Sequence, residues 1–123
     1  MLINHLPEIE TVVIAEICKK YPDYGTISAI LDAVKECDVS GSSEGYILDI
    51  IYNDCDSRKL DFRTIDKNDI HRFRGVISIN KERPYGIYLT FLGGRAIGSE
   101  VFAMGNKIPE EIFDIEIEEI NKI

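Results

Sequence analysis

The chain has 123 residues, 45% hydrophobic and 29% charged, with a formal net charge of −8. That length makes one domain with a single core, and that balance excludes a disordered chain. No run approaches the roughly 18 apolar residues that span a bilayer, and MLINHLPEIE lacks the basic-then-apolar order of a secretory signal, so a cytoplasmic protein is expected. Cys18, Cys37 and Cys55 are odd in number and far apart, without a Cys-x-x-Cys pair. They read as small buried hydrophobes kept reduced, since only His5 and His71 could help them hold zinc.

In chain order, Ile9, Val13, Ile14, Ile17, Cys18 and Tyr21 make the apolar face of a first helix, which Pro22 ends. Pro22-Asp23-Tyr24-Gly25 is a turn. Thr26 is then the N-cap of a second helix with Ile27, Ile30, Leu31, Val34 and Cys37 on one stripe. The pair resembles half of a helix-turn-helix, but TISAILDAVKE is acidic and apolar, so core packing accounts for it better. Val39 to Gly45 is a small-residue connection.

Tyr46 to Tyr52 alternates, with Tyr46, Leu48, Ile50 and Tyr52 on one side and Ile47, Asp49 and Ile51 on the other. Asn53 to Arg58 reads as a hairpin loop, and Lys59 to Ile65 as a second strand. Asp66 suits an N-cap, with Asp69 in the first turn, for a helix burying Ile70, Phe73 and Ile77. Residues 80–86 form a loop, and Ile87 to Leu92 is a buried strand. Gly93-Gly94 turns the chain into a last helix near Arg95 to Met104, and the tail from Pro109 fits either a strand or a helix. The expected architecture is α/β, in the order helix, helix, strand, strand, helix, strand, helix. Its helix between Ile65 and Ile87 makes a right-handed crossover onto a mixed sheet.

Charge is unevenly placed. Residues 1–56 hold 3 Lys and Arg against 11 Asp and Glu, and residues 108–123 hold 1 against 6, whereas residues 57–107 hold 10 against 5. A basic face on an acidic molecule can contact phosphate, although the same residues could simply solvate that region. Asp61 and Arg63 stand side by side on one strand. With Asp49 in the same layer, two carboxylates and a cation converge beside His71, Arg72 and Arg74. That set suits a hard divalent cation next to a phosphate. The plainer reading is a strand-edge carboxylate and a solvated ion pair, and both stay open.

The string LDFRTIDKNDIHRFRGVI followed by YGIYLTFLGGRAIGSEVFA resembles the restriction-endonuclease-like PD-(D/E)xK superfamily, nearest its Mrr-like type IV branch. The likeness is one of pattern and covers about Thr26 to Met104. It implies a single restriction-endonuclease-like domain whose mixed sheet is flanked by helices. Asp49 would be the metal-binding aspartate, Asp61 the Glu/Gln position, Arg63 the lysine position and His71 the helix glutamine. Glu44 would be an extra acidic ligand, with Glu36 or Glu16 as the acidic residue from the first helix. Lys67, Arg72 and Arg74 would contact the nucleic acid. The implied activity is Mg²⁺-dependent (or Mn²⁺-dependent) hydrolysis of DNA phosphodiesters.

Arg63 keeps its proton at any working pH, so it cannot be a general base, but it can hold a phosphate bidentately. Asp61 is one methylene shorter than glutamate, and Mg²⁺ demands near-ideal geometry at about 2.0–2.1 Å. The alternative is a nuclease fold without chemistry that acts as a partner-binding or regulatory subunit. The partners expected are DNA, a second copy of the chain or another protein, with no membrane.

Overall fold

The computed structural model describes residues 1–53 and 69–123. The expected strand Lys59 to Ile65, with Asp61, Arg63, Lys67 and Cys55, lies outside the described residues. Two helices, α1 (Glu8–Lys20) and α2 (Ile27–Ala33), are joined by a short 3-10 turn, Pro22–Tyr24. Seven strands follow the order β1 (Leu2–Ile3), β2 (Val34–Ser42), β3 (Gly45–Tyr52), β4 (Ile70–Ile79), β5 (Glu82–Leu92), β6 (Arg95–Ala103) and β7 (Ile115–Lys122). They form one sheet in the spatial order β1-β2-β3-β6-β5-β4-β7, and every neighbouring pair is antiparallel. No helix among the described residues is long and apolar enough to cross a membrane.

The first helix, the alternation in β3 and the strand at Ile87 to Leu92 match the sequence pattern. Thr26 caps α2 as expected, its hydroxyl accepting the Ala29 amide at 3.2 Å. The helix ends at Ala33, however, and the supposed small-residue connection belongs largely to β2. Two further expectations are corrected: Ile70–Ile79 and Arg95–Ala103 are strands, and the connections around β5 are hairpins instead of a helical crossover. The turns explain this. Asn80 and Lys81 both take positive φ (54° and 67°), as do Gly93 and Gly94 (61° and 81°). Two consecutive left-handed residues are the backbone of a two-residue hairpin turn whose twist matches that of its strands. β4, β5 and β6 therefore form an up-and-down meander.

Both helices lie on one face of this sheet. Val13, Ile14, Ile17 and Ile30 are fully buried there with Leu48, Phe73, Ile77, Ile87, Leu89 and Phe91 from three strands. Each such side chain contributes about 1.5–3 kcal/mol by leaving water. Aromatic edges tie the helical turn to the sheet, with Tyr24 packing 4.9 Å from Phe91 and 5.4 Å from Phe73 between ring centroids. The opposite face of the sheet is where the candidate site lies.

Candidate functional site

Strand parity sorts the side chains. In β3, Leu48 and Ile50 point under the helices, which leaves Ile47, Asp49 and Ile51 on the opposite face. Residues directly paired in an antiparallel sheet share a face. Asp49 pairs with Asp38 of β2 on one side and Gly98 of β6 on the other. Gly98 pairs with Thr90, and Thr90 with Arg72. One row therefore runs Asp38, Asp49, Gly98, Thr90, Arg72 across the open face. The next row runs Ser40, Ile47, Glu100, Tyr88, Arg74, Asn121.

Between the two rows is an open hollow of about 240 Å³, lined by Asp49, Arg72, Tyr88, Thr90 and Glu100 around Gly98. Gly98 forms its floor. A Cβ there would stand 3.0 Å from the Leu48 carbonyl and 3.7 Å from Asp49 Oδ1. The Arg72 guanidinium lies over the Tyr88 ring, 5.3 Å from its centroid. Tyr88 in turn stacks on Phe102 at 5.7 Å and 23°. A cation over an exposed aromatic ring contributes about 0.5–1 kcal/mol, which holds the guanidinium against the sheet.

Of the residues expected to act together, Asp49 and Arg72 line this hollow, and Arg74 lies one row away on the same face. His71 does not join them. It points to the helix-covered face, where Nδ1 meets the Tyr24 hydroxyl at 2.5 Å. Glu44 occupies the β2–β3 turn, five residues or about 16 Å of strand from Asp49. Glu16 belongs to a groove with Lys20 between α1 and β7. Glu36 does share the open face, opposite Ile51 on β2 and close to Lys35. Asp61, Arg63 and Lys67 lie outside the described residues.

Of the expected Mg²⁺ or Mn²⁺ ligands, Glu44 is remote from Asp49, and Asp61 lies outside the described residues. Among the described residues no three His, Cys, Asp or Glu side chains are grouped to hold a metal ion.

A second polar cluster escapes the sequence reading. Glu10 of α1 is completely buried. Its carboxylate accepts the Tyr46 hydroxyl at 2.8 and 3.0 Å and the Ser99 hydroxyl at 2.7 Å. Burial pushes its pKa above the usual 4.5, and the two hydroxyl bonds oppose that only in part. Helical spacing could have revealed it, because residues 10, 13, 14 and 17 share one stripe. No family model, curated protein or solved structure matches this chain.

Proposed function

We propose that the chain is a partner-binding subunit that docks another protein surface on the sheet face opposite its helices. The observation that carries this is the exposed apolar set on that face. Ile47 is 54% exposed, Ile70 65%, Leu92 39% and Ile51 38%, and among the described residues none packs over them. Exposed apolar side chains interleaved with polar groups across one sheet face have the mixed composition of a protein-docking surface. The charge of the same face argues against a polyanion. Among the described residues, Glu36, Asp38, Asp49, Glu100 and Glu119 outnumber Arg72 and Arg74 there, whereas nucleic-acid affinity rests on cations that neutralise phosphates.

The test is a photo-reactive amino acid placed at Ile47 or Ile70, with exposed Leu31 of α2 as control. Discrete protein adducts at the first two positions and none at the third are expected. Nucleic-acid adducts, or equal labelling at all three, would refute the reading.

A second reading is the nuclease that the sequence resembles. What favours it is that Asp49 and Arg72 share one hollow, with the chain leaving β3 at Tyr52 and returning at Ile70. DNA cleavage with Mg²⁺ or Mn²⁺ that disappears in Asp49→Ala would support it. Equal cleavage by both proteins, or none by either, would remove it.

A further inference from the structure

Resting on the docking reading, we infer that the occupant of the open face is a second copy of this chain, packed face to face about a two-fold axis parallel to the strands. The argument starts from the polarity of the face. Four of its carboxylates, Glu36, Asp38, Asp49 and Glu100, sit on β2, β3 and β6 and Glu119 sits on β7, while Arg72 and Arg74 sit on β4. A uniformly basic partner would meet the two arginines with like charge, and a uniformly acidic one would meet the four carboxylates. Like charges facing each other across an interface cost several kcal/mol and reject such partners. The complement of this face is the same face reversed from left to right.

The register supplies that reversal. Apart from the two-residue edge strand β1, the order is β2-β3-β6-β5-β4-β7, and its midline falls between β6 and β5. A two-fold axis along that midline carries β4 of one copy over β3 of the other, and β7 over β2. Asp49 and Arg72 lie in the same row, one on β3 and the other on β4. Each Arg72 is thereby brought over the other copy's Asp49, twice by symmetry. One row away, Tyr88 of β5 meets Glu100 of β6, a hydroxyl facing a carboxylate. On the other side of the Asp49 row, exposed Ile51 meets exposed Ile70. At the margin, Ser40 meets Asn121.

No like-charge pair arises in these rows. A two-fold axis perpendicular to the strands would instead lay β2 and β3 on themselves, acid on acid. Aligned packing about 10 Å apart is the ordinary geometry of two stacked sheets, and that gap suits an arginine reaching a carboxylate. Six strands about 4.8 Å apart and seven residues long cover roughly 650 Å² of sheet per copy, close to the about 800 Å² per partner of a standard interface. The net −8 of each copy opposes association over long range. At physiological salt, charges beyond about 8 Å are screened while contacting pairs are not.

The experiment is sedimentation velocity on the full chain at about 100 µM, above a Kd of order 10 µM. Wild type is expected at twice 14.0 kDa. Asp49→Arg and Arg72→Asp each set like charges against one another at both symmetric contacts, so each should weaken self-association at least about 100-fold. An equimolar mixture of the two variants pairs Arg with Asp at both contacts, and should restore the dimer. Both positions are exposed, so circular dichroism should match wild type. Failure of the mixture to recover a dimer, or dimers persisting in either single variant, would overturn the inference. A monomeric wild type would do the same. Foreign protein adducts at Ile47 would then leave the docking reading intact, and their absence would end both.

Discussion

Glu10 offers the sharpest test of how this fold is held together. Its carboxyl is fully buried, bonded to the hydroxyls of Tyr46 and Ser99, and makes no ion pair among the described residues. Glu10→Ala removes the acceptor from both hydroxyls. Each orphaned group costs about 1–3 kcal/mol, so about 2–6 kcal/mol is expected at low pH, where the wild-type carboxyl is protonated. Glu10→Gln keeps an acceptor and cannot ionise.

The difference between Glu10→Gln and wild type should therefore depend on pH. In the folded protein burial raises this pKa above 4.5, and the two hydroxyl bonds lower it by less. Among the described residues the groups facing Glu10 are the neutral Tyr46, Ser99 and Cys37, and none of them is a cation. A raised pKa means that the folded state holds its proton longer than the unfolded state does. The associated stability is complete below about 4.5 and is lost as pH rises through the folded-state value. Wild type should lose stability with pH by at most about 1.4 kcal/mol per unit relative to Glu10→Gln. Urea unfolding of both proteins at half-unit steps from pH 4 to 9 measures this. A constant difference across that range would refute the reasoning.

Gly75→Ala should destabilise by about 1–3 kcal/mol. The added Cβ would stand 2.8 Å from the Glu119 carbonyl and 2.7 Å from Ile120 Cδ1, and the carbonyl cannot move without disturbing the β4–β7 ladder. A thermal melt unchanged within error would contradict that. Thr26→Ala should cost about 1 kcal/mol through loss of the α2 cap, with Thr26→Ser close to wild type; equal losses in both would assign the effect elsewhere. Burial pushes the Cys18 and Cys37 thiols up to about 11. In a Cys55→Ser background neither should react with a disulfide reagent at pH 8 until urea is added, and rapid native labelling would place them at the surface.

The parts of the fold that were legible are those where one period alone fits. Ile9 to Tyr21 repeats at helical spacing and is stopped by Pro22, and Tyr46 to Tyr52 alternates without exception. β4 satisfies two templates. Ile70, Phe73 and Ile77 fit a helical stripe, while Phe73, Gly75, Ile77 and Ile79 fit an inward-facing strand. Local pattern does not separate them, and pairing with β5 on one side and β7 on the other decides the outcome. The turns held the missing signal. Gly93-Gly94 was legible as a turn, but its value lay in specifying a hairpin, which requires a strand after it where the spacing suggested a helix. Asn80, tolerant of left-handed backbone, carried the same message before β5.

The change from helix to strand in β4 also relocates the site. On a helix, His71, Arg72 and Arg74 could gather near Asp49, as the sequence suggests. On a strand, parity sends His71 with Phe73 toward the core and leaves Arg72 and Arg74 on the open face. The basic surplus of residues 57–107 is dispersed in the same way. Arg83 pairs with Glu118 at 2.6 Å across to β7, and Arg95 lies over the Tyr52 ring at 4.3 Å. Among the described residues, what stays on the open face is a pair of arginines on β4, with carboxylates on β2, β3 and β6 and Glu119 on β7. A face divided in sign in this way supports the proposed docking surface better than the tracking of a phosphate backbone. The reversal of sign about the middle of the sheet is what the proposed two-fold pairing would use.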